Sequence, residues 1–272
     1  MMNLDQNAPI GVFDSGLGGL TALRQLQKDL PAEDYVYFGD TARMPYGGRD
    51  KETLMRFAKT DIALLQSYGV KAILVACGTV SSVILEEIKN EYDIPLVGVV
   101  ESAAVAAAAA TCNGKIGIWG TAASIRSGSY AKRLAEMGYS DTTAVPCPKL
   151  VPLIEDGKIS PEDPAVRQAV QEYLSPVLES GADTLILGCT HYPLLTEVIR
   201  GEVGDKLTLI DSGAESGSAL RRALEERNLL RESGQGNTCY LVSGKPEEFI
   251  LRGGRFLGRD LSGKVEQKDA GK

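Results

Sequence analysis

Thr184-Leu185-Ile186-Leu187-Gly188-Cys189-Thr190-His191-Tyr192-Pro193 decides how the chain is read. A short, continuous apolar run ends in a small residue, then in Cys, Thr and the sole histidine of the sequence. Such a run predicts a buried strand, and Tyr192 to Arg200 predicts a helix opening behind it. Cys189 then stands at the carboxyl end of a strand and faces the amino end of a helix. Ligands of open α/β sheets bind at that edge. A helix amino terminus also favours thiolate, so Cys189 is a candidate base or nucleophile.

The same construction occurs earlier in the chain. Ala72-Ile73-Leu74-Val75-Ala76-Cys77-Gly78-Thr79 is again strand, small residue, Cys and Thr, followed by a helical pattern from Val80 to Lys89. Ile10-Gly11-Val12-Phe13-Asp14-Ser15-Gly16 and Ile116-Gly117-Ile118-Trp119-Gly120-Thr121 form a second matched pair of strand-to-turn units. The thiols stand 112 residues apart and Gly11 and Gly117 stand 106 apart. Two offsets so similar predict two similar halves, with a molecule bound between them meeting one thiol on each side.

Strand-like and helix-like segments alternate throughout, which predicts an α/β fold of mostly parallel sheets flanked by helices. Helices are expected at Leu20–Leu30, Asp50–Tyr68, Ser102–Thr111, Ser127–Met137, Pro164–Glu179 and Ala214–Arg227. A small closing helix or turn is expected at Phe249–Leu257. The expected division is a first domain of residues 1–98 plus 210–272 and a second of 99–209. Residues 262–272 are too polar to predict an ordered element.

A chain of 272 residues with 43% hydrophobic and 24% charged residues has the composition of a folded protein. Its net charge of −7 argues against nucleic acid or an anionic membrane as the main partner. Met1 to Pro9 lacks the apolar core of a signal peptide, and no apolar run reaches the ~20 residues that span a bilayer. These features predict a cytoplasmic protein. Five scattered cysteines without a CxxC pair predict free thiols.

Each candidate has an ordinary explanation beside its chemical one. Asp14-Ser15-Gly16 reads first as a helix cap, and second as a site where Asp14 holds an ammonium and Ser15 a carboxylate. The glycines after it lack G-x-G-x-x-G spacing, so no nicotinamide cofactor is expected. Pro45-Tyr46-Gly47 reads as a surface turn, or as backbone N–H groups of Tyr46 and Gly47 binding a carboxylate. Glu155 and Asp156 read as a solvated turn. Cys112, Cys147 and Cys239 read as structural. A lone cysteine at a strand end is usually a small hydrophobe, but two in matched settings point further. Zinc bound by Cys77, Cys189, His191 and Asp14 is one use. The other is inversion: one thiol takes a proton from one face of a carbon while the opposed thiol gives one to the other face. His191 can then stabilise or relieve a neighbouring thiolate.

Four stretches together resemble glutamate racemase: Phe13-Asp14-Ser15-Gly16-Leu17-Gly18-Gly19-Leu20, Gly39-Asp40-Thr41-Ala42-Arg43-Met44-Pro45-Tyr46-Gly47, the Ala76-Cys77 turn, and Leu187 to Leu195. The likeness runs from about Ile10 to Leu257. It implies two α/β domains facing each other across a cleft, often in a homodimer, and a cofactor-independent enzyme supplying D-glutamate for peptidoglycan and hence cell shape. By that resemblance the thiol of Cys77 deprotonates D-glutamate and that of Cys189 deprotonates the L enantiomer. Asp14 and His191 match the assisting residues, and Glu155 matches a further acidic position. Ser15, Pro45, Tyr46, Gly47, Thr79, Thr121 and Thr190 match positions that hold the substrate.

The chain departs from the family pattern at Gly78, where an Asn that contacts substrate is usual. Ser102 replaces a usual Pro and Ser124 a usual Thr. Besides glutamate racemase, two readings stay open. One is a racemase of aspartate or another dicarboxylate. The other, motivated by Gly78, is a catalytically weak binding or regulatory member, since some members of the family inhibit DNA gyrase.

Overall fold

The computed structural model describes residues 5–269; residues 1–4 of the polar amino-terminal stretch and 270–272 of the polar tail lie outside the described residues. The chain runs β1 (Ile10–Asp14), α1 (Gly19–Asp29), β2 (Tyr35–Gly39), α2 (Lys51–Ser67), β3 (Ala72–Val75), α3 (Gly78–Val83), α4 (Leu85–Ile88), β4 (Leu96–Gly98) and α5 (Val99–Ala110). It continues through β5 (Ile116–Gly120), α6 (Ala122–Ser127), α7 (Ser129–Glu136), β6 (Thr142–Pro146), α8 (Leu150–Glu155), α9 (Pro164–Glu179) and β7 (Thr184–Leu187). The last elements are α10 (Thr196–Val203), β8 (Thr208–Asp211), α11 (Ser212–Glu225), β9 (Thr238–Val242), α12 (Pro246–Leu257) and β10 (Val265–Gln267).

Two parallel sheets result. One has the order β10-β9-β2-β1-β3-β4 and the other β6-β5-β7-β8. Every residue of β1, β2, β3, β5 and β7 is buried. Helices on both faces require such strands, which explains runs such as Ala-Ile-Leu-Val and Thr-Leu-Ile-Leu in place of alternation. The implied duplication appears as matched register. Phe13 pairs with Val75, ahead of Cys77, and Trp119 pairs with Leu187, ahead of Cys189. Each thiol therefore leaves its sheet beside the end of a central strand, β1 or β5.

The chain crosses back from the four-stranded sheet after β8, and α11 packs on both α1 and α5. Then β9 adds beside β2, within the stretch 210–272 assigned to the first domain.

Five local expectations change. The helical pattern from Val80 to Lys89 is broken at Ile84, whose φ of −131° lies outside the helical range, into α3 and α4. Tyr192–Leu195 is a 3₁₀ turn and the regular helix begins only at Thr196. The turn carries Pro193, which has no N–H to give to a helical ladder. Ser127–Met137 is split at Gly128, whose φ of +67° breaks the helix into α6 and α7. The alanine-rich helix opens three residues early, at Val99. Within the polar tail, Val265–Gln267 forms an edge strand paired in parallel with Tyr240–Val242.

Candidate active site

The carboxyl ends of the central strands open onto one cavity of about 500 Å³. Cys77 and Cys189 both line it, together with Asp14, Ser15, Pro45, Tyr46, Gly47, Gly78, Thr79, Thr121, Glu155, Thr190 and His191. All the residues singled out from the sequence for catalysis or substrate binding thus share one space. That volume lies in the ordinary range for a small-molecule site.

Close approach brings the β1–α1 turn against the Cys189 turn. A Cβ on Gly18 would stand 2.1 Å from Thr190 Oγ1 and 2.6 Å from His191 Nδ1, so only glycine lets the β1–α1 turn pass there. The Thr21 hydroxyl on α1 donates to the Thr190 carbonyl at 3.0 Å. Asp14, at the end of β1, accepts from the Gly16 N–H at 2.9 Å and from the Thr190 hydroxyl at 3.4 Å. Burial pushes the Asp14 carboxyl up from its ordinary value, against the opposing pull of His191 and backbone N–H groups.

Cys77 precedes α3. Burial, followed by the charge of Asp14, pushes the Cys77 thiol up to about 12, and the Val80 N–H and Ser15 hydroxyl offset it only in part. Desolvation wins because the thiol is enclosed and α3 is only six residues long.

Cys189 has a different neighbourhood. Its Sγ lies 3.8 Å from His191 Nδ1, and His191 Nε2 lies 3.2 Å from Glu155 Oε1 at the end of α8. Burial alone would lower the imidazole pKa. Hydrogen bonds to Cys189 and Glu155, with the charges of Cys189 and Asp14, outweigh burial and raise it to about 10. Phe256 of α12 meets the imidazole edge-on, with ring centroids 5.6 Å apart, and helps to fix its plane. Glu155, read as part of a solvated turn, is thus a ring partner of His191.

The loop after β2 is anchored inward and is no surface turn at Tyr46, whose ring is 1% exposed. The Tyr46 hydroxyl lies between the carboxyl groups of Asp40 and Asp61, at 3.0 Å from Asp61, and Arg43 bridges both carboxyl groups at 2.6 Å. This places Pro45, Tyr46 and Gly47 on the cavity wall. Across the wall, the Gly47 carbonyl accepts from the Ala123 N–H at 3.3 Å, and the Thr79 and Thr121 hydroxyl oxygens lie 3.0 Å apart. Thr121 also accepts from Ser124 N–H, capping α6.

Wall residues not foreseen as part of the site include Cys147, Pro148, Val151, Pro152, Asp156 and Arg252. Cys147 follows β6, so the rule that ligands gather at strand carboxyl ends was the available signal. It is buried, and its thiol donates to the Val145 carbonyl at 3.4 Å. Arg252 comes from α12, and no local pattern in the sequence marks it. Among the described residues, no group of three or more His, Cys, Asp and Glu side chains is placed to hold a metal ion, and no helix is long and apolar enough to cross a membrane.

Residues 15–216 match the family model described as Asp/Glu/hydantoin racemase. The chain belongs to that family. It is 44% identical over 254 residues to a glutamate racemase of Geobacter metallireducens, covering 93% of each chain. Among solved structures, a glutamate racemase isoform from Bacillus anthracis superposes with a TM-score of 0.91 at 36% identity, over 97% of this chain and 98% of that one. A glutamate racemase from Francisella tularensis, solved with D-glutamate, gives 0.89 at 33% identity over the same shares. The reaction that names the family, racemisation, is an inversion at carbon.

Proposed function

We propose that this protein interconverts L- and D-glutamate without a cofactor, by proton transfer between two thiols. The observation that carries the reading is that Cys77 and Cys189 line one cavity, each at the carboxyl end of a strand in its own sheet. The racemases it resembles at 33–44% identity act as precedent for the substrate.

The burial of Cys77 and the contact between Cys189 and His191 support one starting state. Cys77 holds its proton, while Cys189 has the protonated His191 as a positive partner. The Cys189 thiolate takes the α-proton of L-glutamate, leaving the electron pair on carbon. The Cys77 thiol then gives its proton to the opposite face, which yields D-glutamate and a Cys77 thiolate. The D enantiomer runs the same steps backwards. Donors aimed at the α-carboxylate stabilise the carbanion in a shielded site; Ser15, Thr79, Thr121, Thr190 and the backbone at Tyr46 and Gly47 are the candidates. Asp14, next to Cys77, holds the substrate ammonium, or accepts the Cys77 proton when that thiol is to act as the base on D-glutamate. Glu155 holds the imidazole.

By family resemblance, the enzyme works as a cytoplasmic homodimer that supplies D-glutamate to peptidoglycan. The test is α-hydrogen exchange in deuterated water from each enantiomer of glutamate and of aspartate. Solvent deuterium is expected in both glutamate enantiomers, with inversion. Exchange confined to aspartate would overturn the substrate, and binding without exchange would overturn catalysis.

A further inference from the structure

The walls of the cavity carry Asp14, Glu155 and Asp156, and the protein as a whole has a net charge of −7. A dicarboxylate amino acid carries a net negative charge, so this field opposes its entry. Among the described residues, one lysine or arginine lines the cavity, and it is Arg252.

Its placement follows from α12. Phe256 of that helix rests on His191, and Arg252 lies four residues earlier, on the same helical face. The helix that steadies the imidazole therefore also carries a cation to the cavity wall. Arg252 is exposed, and among the described residues it has neither an ion pair nor a hydrogen bond that would occupy its guanidinium. Arg167, also exposed, is by contrast paired with Glu202.

We infer that Arg252 is the positioning residue that recruits the anionic substrate into this acid-lined cavity. The inference rests on the glutamate reading above and deepens it. A free guanidinium among three acidic groups offers a dicarboxylate a favourable site, and a fork suited to a carboxylate. Asp156 and Glu155 then act as the repulsive background against which the arginine matters.

Steady-state racemisation of L-glutamate, followed by circular dichroism at about 0.02 M and about 0.3 M ionic strength, tests it. Arg252→Gln is expected to raise KM about fivefold at low salt, the effect of one fully water-screened charge about 4 Å from substrate. It should also flatten the fall of kcat/KM with salt. Arg252→Lys should keep most of that salt dependence, and Lys28→Gln, an exposed charge loss on α1, should behave as wild type. Wild-type KM and salt slope in Arg252→Gln would overturn the inference while leaving the racemase reading intact. A wild type that turns over no glutamate would overturn that reading and this inference with it. Should Arg252→Gln fail to fold, Arg252→Glu against Arg252→Lys carries the test. Equal KM values for that pair would overturn the assignment, and a higher value for Glu would support it.

Discussion

A Cβ atom on Gly78 would stand 2.5 Å from the backbone carbonyl oxygen of Gly188. The residue after the first thiol therefore faces the residue before the second with no side chain between them. The contact is backbone, which cannot rotate away as a side-chain end could. A substituent at 78 must push the two thiol turns apart. Proton transfer depends on the reacting atoms being held to within fractions of an ångström. Gly78→Ala is therefore expected to lower kcat/KM by about tenfold to a hundredfold, with the fold retained by circular dichroism. An alanine variant that racemises glutamate at the wild-type rate would show that the contact does not set thiol spacing. The position thus departs from the usual Asn in a way this backbone arrangement accommodates, which weakens the argument that Gly78 marks an inactive relative.

Replacing either thiol isolates one half of the reaction. Cys77→Ser leaves the Cys189–His191 pair able to take a proton from L-glutamate and return it to the same face. Cys189→Ser leaves only the opposite face addressed. Both variants are expected to lose racemisation by about a thousandfold or more, the scale of removing a positioned acid or base. Residual deuterium uptake should be confined to L-glutamate in the first and D-glutamate in the second. Normal inversion by either serine variant would remove that thiol from the mechanism.

The sequence displayed the strand ends because buried parallel strands are unbroken apolar runs, and the step to Cys or Asp at their ends is abrupt. Both thiols, Asp14 and His191 were legible for that reason. Arg252 was not, because its distance to the cavity depends on β9 and α12 returning to the first sheet, which no local pattern encodes. The Val265–Gln267 strand escaped notice since three residues at a sheet edge need no apolar face. The state of Cys77 was not legible either, because desolvation of an enclosed sulfur outweighs the field of so short a helix.

The histidine pair sets a pH limit. His191 keeps its proton up to about pH 10, because its hydrogen bonds to Cys189 and Glu155 overcome burial. Above that pH the positive partner of Cys189 is lost, so kcat/KM is expected to fall on the alkaline side. Substrate and product have equal free energy, so the same limb must appear from both enantiomers. Glu155→Gln removes one of the groups that raise the imidazole pKa. The alkaline limb should then move to lower pH, by roughly one unit, the scale of one close opposite charge. A pH–rate profile in which Glu155→Gln leaves the limb unmoved would mean that Glu155 does not govern the imidazole.

At the opposite end of the first sheet, Lys71 and Glu33 form an ion pair of 2.5 Å with both side chains at or below 1% exposure. The Lys71 ammonium also donates to the Gln6 carbonyl at 2.6 Å, and Glu33 accepts from the Arg231 N–H at 2.8 Å. Burial lowers the lysine pKa and the glutamate raises it in opposition. Lys71 borders the amino ends of β1 and β3, where its N–H bonds to the Pro9 carbonyl, so it acts on stability and not on the cavity. Lys71→Met leaves a buried carboxylate without its cation, which costs about 3–5 kcal/mol. In a protein of this size that corresponds to a fall in Tm on the order of 10 °C. Adding Glu33→Leu removes the orphaned charge, and the double variant should recover at least half of the loss. KM for glutamate should match wild type in both proteins at temperatures where they are folded. A Lys71→Met protein as stable as wild type would mean that the carboxylate reaches water, and that the pair is no part of what holds the sheet end together.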